Sequence, residues 1–426
     1  MRVLVIGSGA REHALVRRLS GDAGISGLLC VPGNPGVAGV ARVAAGDPSR
    51  GDGIAALLEL ARHERIDLTV VGPEVPLSLG IVDRFTAEER LIVGPTAAAA
   101  CLESSKAFAK SFMQRHDVPS ARFLICESAD EGLAAVRSGR FGLPVVIKAD
   151  GLAAGKGVVI ATNREEAEAA VVAAMRERRF GDAGARLVIE ECMTGPEVSF
   201  FALSDGERAV PIGTAQDHKR IFDEDIGPNT GGMGAFAPSP LVDETLGARI
   251  MREIVNPVIS GMASEGCPFR GFLYAGLMLT PEGPKVVEFN ARLGDPETQV
   301  ILPRITDPLL PMLVASASGT LKDSACGMSA DKYVGVVVAS RGYPESSESG
   351  RPIAGVEAAD QIPGVSVLHA GTAIRDGQLV TAGGRVLTVV GQGRDFPEAI
   401  ARAYAGVLQI SFDGMQYRRD IGRKAL

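Results

Sequence analysis

The chain carries the run Val287-Glu288-Phe289-Asn290-Ala291-Arg292-Leu293-Gly294-Asp295-Pro296-Glu297. Its first residues alternate between apolar and polar side chains, which predicts a strand with Glu288 and Asn290 on the same face. Two hard oxygen ligands on one face suit Mg²⁺ that is held jointly with phosphate groups. If the strand continues, Arg292 lies on this face as well, where a guanidinium holds a carboxylate or stabilises a transferring phosphoryl group. The run therefore predicts a metal-assisted phosphate site.

A glycine-rich segment, residues 148–157, joins two predicted strands at residues 144–148 and 158–161. It is not a P-loop, because Asp150 and Gly157 stand where a P-loop has its first glycine and its hydroxyl residue. Lys148 closes an apolar strand, where an unpaired ammonium group would be costly. We therefore expect a hairpin that folds over a triphosphate and opens again, as a lid does.

Two further segments carry polar groups beside predicted strands. The strand at residues 187–191 ends in Glu190 and Glu191, and Glu197 precedes the next strand. Carboxylates accept hydrogen bonds from ribose hydroxyls, and an extended hinge can pair with an adenine edge. The charged residues 215–220, followed by a glycine-rich stretch, predict a loop that closes over a substrate. His218 within them fits a structural role as well as a functional one.

The first hundred residues show short apolar runs that alternate with helical patterns. Strands separated by helices predict an open parallel sheet, in which ligands bind outside the carboxyl ends of the strands. The loop Gly7-Ser8-Gly9-Ala10-Arg11-Glu12 follows the first strand, and its amides at a helix N-terminus suit a phosphate monoester. Glu12 replaces the third glycine of a dinucleotide fingerprint, which disfavours a nicotinamide dehydrogenase. A tight turn without a ligand is the alternative.

The composition excludes several classes of protein. A length of 426 residues suggests about three domains. A net charge of −7 argues against nucleic-acid binding through bulk positive charge. Neither a membrane span nor a secretory signal is evident, since no apolar run approaches ~18 residues. Six cysteines without metal-finger or CxxC spacing predict free thiols in a reducing compartment, so we expect a cytoplasmic protein. A monomer or a small homo-oligomer is expected, and the sequence does not decide between them.

Taken together, these motifs closely resemble the phosphoribosylamine–glycine ligase family of ATP-grasp enzymes, and the similarity runs from residue 1 to Gly422. The most specific element is the stretch from Arg292 to Glu297. The resemblance implies an α/β and α+β multidomain protein with an open parallel α/β sheet, an ATP-grasp core with a small mobile lid, and a C-terminal β-rich domain. The implied bounds are 1–102 for the first domain, 103–326 for the core, about 123–193 for the lid, and 327–426 for the last domain.

The resemblance also implies a reaction, in which ATP, glycine and 5-phosphoribosylamine give ADP, phosphate and glycinamide ribonucleotide through glycyl phosphate. Phosphorylation gives the carboxylate of glycine a leaving group that an amine can displace. Because the intermediate and the amine are both labile in water, a closing lid has a clear purpose.

The family's roles are transferred to this chain by position. ATP binding is implied for Lys106, Lys148, Gly155, Lys156, Gly157, Glu190, Glu191, Met193 and Glu197, of which Glu190 and the backbone near Met193 hold adenine and Glu197 holds ribose. Mg²⁺ or Mn²⁺ is implied at Glu288 and Asn290. Catalytic roles with glycine and its acyl phosphate are implied for Arg292, Asp217 and Asp295, and substrate contacts for Gly9, Arg11, Asn34, Gly36, Glu74, Lys219, Arg220 and Gly294.

One departure and several alternatives accompany this interpretation. Many ATP-grasp enzymes carry an acid on the strand before the metal strand, whereas residues 274–279 contain none, so a second metal would rely on Glu288 alone or be held more weakly. Another ATP-grasp carboxylate–amine ligase or a biotin-carboxylase-like enzyme would share the lid, hinge and metal strand. A non-catalytic nucleotide sensor is disfavoured because Lys148, Glu288 and Asn290 are all present.

Overall fold

The computed structural model describes residues 1–152, 157–322 and 325–426. Its N-terminal part consists, in chain order, of β1 (Arg2–Gly7), α1 (Ala10–Ser20), β2 (Gly27–Pro32), α2 (Pro35–Ala38), β3 (Arg42–Val43), α3 (Gly51–His63), β4 (Leu68–Val71), α4 (Glu74–Ser78), α5 (Ile81–Ala87) and β5 (Leu91–Val93). The strands form a parallel sheet in the order β3-β2-β1-β4-β5, which confirms the predicted open α/β sheet. The loops after β1, β2 and β4 therefore lie at its carboxyl edge.

Two short helices, α6 (Cys101–Ser104) and α7 (Lys106–Arg115), lead into a small antiparallel sheet. Ser105 separates them because its backbone is extended and its hydroxyl caps α7 by accepting from the amide of Phe108. The described part of the small sheet has the strand order β6-β9-β7-β8, and helices α8 and α9 pack on it. These elements are β6 (Phe123–Cys126), α8 (Ala129–Arg137), β7 (Val145–Ala149), β8 (Val158–Ala161), α9 (Arg164–Val171) with a π-helical turn (Val172–Arg176), a 3-10 turn (Gly181–Gly184) and β9 (Leu187–Glu191).

The central part of the chain contributes long antiparallel hairpins. Two of these hairpins are β10/β11 and β15/β16, and α10 and α11 join through a π-helical turn into one long helix. Its elements are β10 (Glu197–Asp205), β11 (Ala209–Asp217), β12 (Arg220–Phe222), a 3-10 turn (Asp223–Asp225), β13 (Ile226–Asn229), β14 (Gly234–Ala237), α10 (Glu244–Ile250), a π-helical turn (Met251–Val255), α11 (Asn256–Ser264), β15 (Arg270–Thr280), β16 (Gly283–Asn290), α12 (Thr298–Ile301), a 3-10 turn (Leu302–Arg304) and α13 (Leu309–Ser318).

The C-terminal part is β-rich, as predicted, but its strands extend the central sheet. Strand β14 pairs with β17, so the described residues form one eight-stranded sheet in the order β16-β15-β10-β11-β14-β17-β21-β18. This pairing fixes the C-terminal strands relative to β16, which carries the predicted metal ligands. The elements are β17 (Lys332–Ala339), α14 (Val356–Asp360), β18 (Val365–His369), β19 (Thr372–Arg375), β20 (Gln378–Thr381), β21 (Arg385–Gly393), α15 (Phe396–Val407) and a 3-10 turn (Arg423–Ala425).

Both faces of the N-terminal sheet are buried, because side chains on a strand alternate between its faces. Leu4 and Ile6 of β1 join one apolar core, which also contains Leu273 of β15. Val3 and Val5 join a second core, which also contains Phe201 of β10. The N-terminal sheet and the central sheet are thus packed together through two shared cores. None of the helices in the described ranges combines the length and apolar character needed to cross a bilayer.

Candidate active site

Three buried charged side chains, Lys110, Lys148 and Glu190, connect α7 to the small sheet. The Glu190 carboxylate forms an ion pair with Lys148 through Oε1 and with Lys110 through Oε2, the latter at 2.5 Å. Lys148 also donates to the carbonyl oxygen of Val287 on β16, at 3.0 Å. The Glu190 side chain is 3% exposed, and in this arrangement its carboxylate holds two ammonium groups in place.

Lys106 lies at the base of the glycine-rich segment. Its Nζ donates to the carbonyl oxygen of Gly151 at 3.1 Å, and burial lowers its pKa. Asp150 ties this segment to the N-terminus of α7, because its Oδ1 accepts from the Ser105 hydroxyl at 3.0 Å and from the Ala107 amide at 3.1 Å. The ammonium group of Lys106 is thus fixed where the glycine-rich segment leaves the small sheet.

The side chains of Glu288 and Asn290 share one face of β16, opposite Gly276 and Tyr274 of β15. Both are half-buried, whereas Phe289 between them is buried in the core. Burial opposes ionisation of Glu288, but the charges of nearby lysines outweigh burial and lower its pKa. Those lysines are Lys219, Lys148 and Lys106.

The donor atoms on this face fit a small divalent cation. Within the described ranges, neither Glu288 nor Asn290 forms a side-chain hydrogen bond or an ion pair with another residue. An ionised carboxylate and a neutral amide oxygen are hard ligands of the kind that Mg²⁺ and Mn²⁺ accept. No group of three His, Cys, Asp or Glu suited to a metal occurs in the described part of the chain. A cation here would therefore need phosphate or water oxygens to complete its shell.

A second group of charges lies at the end of β11. Lys219 forms an ion pair with Glu197, and the charges of Asp217, Glu197 and Glu288 outweigh burial and raise the pKa of Lys219. Burial, opposed by Lys219 and reinforced by Glu297, raises the pKa of Asp217 to about 7. Glu297 itself is buried and accepts a hydrogen bond from Ser199. The predicted residues Asp217, Glu197 and Lys219 thus belong to one electrostatic network with Glu288.

Arg292 follows β16 and binds two carboxylates. Its Nε donates to Glu74 at 3.0 Å, and a terminal nitrogen lies 2.9 Å from Glu103. Glu103 also accepts from the amide of Ala291 at 2.7 Å. Burial opposes the charge of Arg292, but these two carboxylates outweigh it and raise the pKa of the guanidinium. The guanidinium is therefore held in a fixed orientation beside Glu288.

The turn that contains Gly294 and Asp295 is clamped by the C-terminal part. Arg385 of β21 donates to the carbonyl oxygen of Asp295 at 2.7 Å and to that of Gly231 at 2.5 Å. Its other terminal nitrogen lies 3.1 Å from the Asp295 carboxylate, whose second oxygen accepts from Gln299 at 2.7 Å. The β14–β17 pairing thus brings Arg385 of the C-terminal part to Gly231 and to Asp295 in the predicted catalytic turn.

The N-terminal glycine loop binds an internal carboxylate. Glu12 accepts from the amide of Gly9 and from Nε of Arg11, both at 2.6 Å. A Cβ at Gly72 would lie 2.0 Å from the same carboxylate, so glycine is required there. The Gly9 amide thus has an internal acceptor in Glu12. Arg11 also donates to the carbonyl oxygen of Leu293 at 3.1 Å, which links this loop to the turn of Gly294 and Asp295.

Asn34 and Gly36 join the N-terminal and C-terminal parts. The Asn34 amide donates to the carbonyl oxygens of Ser8 and His369, both at 2.8 Å, and its oxygen caps α2. A Cβ at Gly36 would lie 2.4 Å from the ring of His13 and 2.6 Å from that of His369. The Asn34 side chain thus joins the loop after β1, α2 and the C-terminal part through hydrogen bonds within the protein. Burial lowers the pKa of both histidines, so the junction is uncharged at neutral pH.

Four other predicted residues lie at the edges of this arrangement. Glu191 binds Arg122 at 2.6 Å, and Met193 lies half-buried in the hinge between β9 and β10. The Gly157 carbonyl oxygen accepts from the amide of Ala149 at 2.8 Å, and Arg220 donates to the carbonyl oxygen of Gly227 at 2.6 Å. The predicted residues Gly155 and Lys156 lie outside the described residues.

Three residues that contact the site were not predicted from the sequence. Lys110 had a local signal, because it follows Lys106 by four positions on one helix and therefore shares its face. Glu103 and Arg385 had none, since their contacts with Ala291 and Asp295 span 188 and 90 residues.

Comparison with known families covers the chain in three consecutive segments. Models of phosphoribosylglycinamide synthetase match residues 1–103 as the N domain, 104–298 as the ATP-grasp (A) domain and 333–424 as the C domain. A phosphoribosylamine–glycine ligase from Xylella fastidiosa (strain Temecula1) is 49% identical over 429 residues, covering 100% of this chain and 98% of that protein. The similarity therefore extends over full length.

Solved structures agree with this result. The crystal structure of a phosphoribosylamine–glycine ligase from Thermotoga maritima superposes with a TM-score of 0.85 at 34% identity, covering 99% of this chain and 100% of that one. The biotin carboxylase–beta-gamma-ATP complex from Campylobacter jejuni superposes with a TM-score of 0.73 at 16% identity, covering 98% and 92% of the two chains. The second similarity concerns the fold alone.

Proposed function

This chain belongs to the phosphoribosylglycinamide synthetase family and is an ATP-grasp ligase, and we propose that it makes its product through glycyl phosphate in the site described above. The enzyme forms glycinamide ribonucleotide in an ATP-dependent step of purine biosynthesis. What we add is the assignment of steps to residues. The observation that carries it is an ionised Glu288 that has no hydrogen-bond or ion-pair partner among the described residues and is surrounded by the charges of three lysines and Arg292.

We assign the ATP phosphates to Lys106, Lys148 and Lys156, with Gly155 and Gly157 in the segment that covers them. Both Lys106 and Lys148 contact Glu288 electrostatically, which supports a common phosphate site. The adenine contact is assigned to the backbone of the hinge at residues 191–193, since the Glu190 carboxylate is paired with lysines. The ribose is assigned to Glu197, which would exchange its ion pair with Lys219 for the hydroxyls.

ATP-grasp enzymes use a divalent metal with ATP, and we assign it, as Mg²⁺ or Mn²⁺, to Glu288 and Asn290. When bound, the ion neutralises negative charge on the phosphates during transfer. Glu288 keeps its ionised form because neighbouring lysines lower its pKa. The carboxylate therefore needs no proton release before it ligates the cation.

Glycine is assigned to Arg292, Asp217 and the turn of Gly294 and Asp295. In the first step an oxygen of the glycine carboxylate attacks the γ-phosphorus, and ADP leaves. In the second step the amine nitrogen of 5-phosphoribosylamine attacks the acyl carbon of glycyl phosphate, phosphate leaves, and this nitrogen loses a proton. Arg292 presents a fixed guanidinium to the carboxylate and the transferring phosphoryl group. We assign Lys219 and Arg220, which follow Asp217 closely in the chain, to the loop that closes over the substrates.

The 5-phosphoribosylamine site is assigned to the region where the N-terminal loops meet the turn after β16. Arg11 and Glu74 support this assignment, because they contact Leu293 and Arg292 directly. Gly9, Asn34 and Gly36 are assigned to the same site, and their contacts with Glu12 and the two histidines hold these loops in place.

We also propose the domain organisation implied by the sequence. The domains span residues 1–102, 103–326 and 327–426, and a mobile lid spans about 123–193. The separate small sheet within residues 123–191 supports the lid. All six cysteines are free thiols, which supports a reducing, cytoplasmic location. We propose a monomer or a small homo-oligomer.

Release of ADP tests this function. The purified protein is given ATP, Mg²⁺, glycine and 5-phosphoribosylamine generated from ribose 5-phosphate and ammonia, and each substrate is omitted in turn. We expect release to require glycine and 5-phosphoribosylamine together and to equal glycinamide ribonucleotide formed. Release that is indifferent to glycine but stimulated by bicarbonate would contradict the proposal and favour a biotin-carboxylase-like reaction.

A further inference from the structure

Lys110 is a buried lysine that the assignments above leave without a role. Its side chain is 3% exposed and lies on α7 one helical turn after Lys106. Its Nζ lies 2.5 Å from Glu190 Oε2, 3.4 Å from the carbonyl oxygen of Ala121 and 5.7 Å from the ring centre of Phe123. The ammonium group is thus enclosed by a carboxylate, a carbonyl and an aromatic ring.

Glu190 is shared between two lysines of different surroundings. Lys110 is enclosed. Lys148 on β7, by contrast, also donates to the carbonyl oxygen of Val287 on β16 and interacts electrostatically with Glu288. One carboxylate therefore balances two ammonium groups, and the cluster carries a net positive charge. A phosphate oxygen brought to Lys148 would supply the missing negative charge.

Binding of ATP phosphates by Lys148 weakens its ion pair with Glu190. A buried carboxylate that loses its partner is strongly disfavoured, because burial removes the water that would otherwise solvate the charge. With Lys110 in place, Glu190 keeps an ion pair while Lys148 turns toward phosphate. Without Lys110, Glu190 would retain Lys148 as its single partner and compete with the phosphates for it.

We propose that Lys110 is a positioning residue for the nucleotide site, which acts by keeping Glu190 charge-balanced so that Lys148 is free to bind ATP phosphates. This inference rests on the proposed role of Lys148. It differs from a direct contact, since the partners of Lys110 enclose its ammonium group. It also explains a lysine–glutamate–lysine arrangement in which every side chain is at most 5% exposed.

The test compares variants for the affinity of a non-hydrolysable ATP analogue with Mg²⁺ and for the KM of ATP. Lys110→Met is expected to raise both about 10-fold or more, a change of about 1.4 kcal/mol, with little change in the KM of glycine. Lys110→Arg, which keeps the charge, is expected to stay near wild type. Arg137→Met serves as the matched control, because its ion pair with Glu168 is exposed on the same small sheet region.

A second substitution separates positioning from other roles. Glu190→Gln in the Lys110→Met background removes the carboxylate that needs balancing, so analogue affinity is expected to recover most of its loss. Failure to recover would overturn the inference and favour direct contact with nucleotide. Unchanged affinity in a folded Lys110→Met protein would overturn it too. Lys148→Met is measured alongside. Unchanged affinity in that variant would contradict the proposed role of Lys148 at the nucleotide site itself. Reduced affinity in Lys148→Met together with unchanged affinity in Lys110→Met would contradict the inference about Lys110 alone.

Discussion

Replacing Glu288 with glutamine is expected to lower kcat of ATP-dependent ligation about 10²–10³-fold, the size of effect seen when one stabilising group of a reaction site is removed. The substitution keeps the shape of the side chain but removes the negative charge that faces Lys219, Lys148 and Lys106. A neutral amide is a poorer ligand for a divalent cation than a carboxylate. Turnover is measured as a function of Mg²⁺ concentration, and circular dichroism reports the fold.

The matched control for this variant is Glu282→Gln. Glu282 lies in the turn of the same β15/β16 hairpin and its side chain is 69% exposed, so its loss is expected to leave turnover and metal dependence unchanged. A Glu288→Gln protein that turns over at near wild-type rate at every Mg²⁺ concentration would remove Glu288 from the metal site. Loss of turnover that excess Mg²⁺ partly restores would support it.

Arg292→Lys is expected to reduce kcat/KM for glycine about 10²-fold or more, because lysine keeps the charge but loses the planar fork. In the structure the guanidinium contacts Glu74 and Glu103 through different nitrogens, a geometry that one ammonium group does not reproduce. Glu103 is buried and its pKa is raised by burial, so its weakened ion pair is also expected to cost about 1–3 kcal/mol of stability.

Steady-state kinetics and urea unfolding of the variant separate the two effects. A double variant, Arg292→Lys with Glu103→Gln, removes the buried charge and is expected to regain stability while activity stays low. Arg249→Lys is the control, since Arg249 pairs with Glu253 on an exposed helix surface. Activity of Arg292→Lys within about 3-fold of wild type would show that the bidentate fork is not required.

The sequence predicted much of the fold because hydrophobic alternation is local information. Apolar Phe289 between Glu288 and Asn290 predicted that these two share a face, and β16 confirms this. The alternation does not extend to Val287, because the register shifts there and Val286 joins the core in its place. The turn residues between β15 and β16 set the hairpin in the same way. Each of these signals lies within a few residues of the element that it specifies.

What the sequence did not reveal depends on contacts between distant segments. The pairing of β14 with β17 makes one sheet of two expected units, and it brings Arg385 to Asp295 across 90 residues. The N-terminal loop adds a contact that its motif did not indicate. Its glycines and helix N-terminus favour a phosphate, and comparison with a dinucleotide fingerprint identified Glu12 only as a departure, whereas in the structure Glu12 accepts from the Gly9 amide.

Transfer of ¹⁸O tests the central claim most directly, because glycyl phosphate requires the glycine carboxylate to give one oxygen to the phosphate. The enzyme is given glycine with ¹⁸O in both carboxylate oxygens, unlabelled ATP and 5-phosphoribosylamine in unlabelled water. We predict one ¹⁸O in each inorganic phosphate released and one in the amide of glycinamide ribonucleotide. Unlabelled glycine in ¹⁸O water is the control and should give unlabelled phosphate. Release of unlabelled phosphate from labelled glycine would contradict the account.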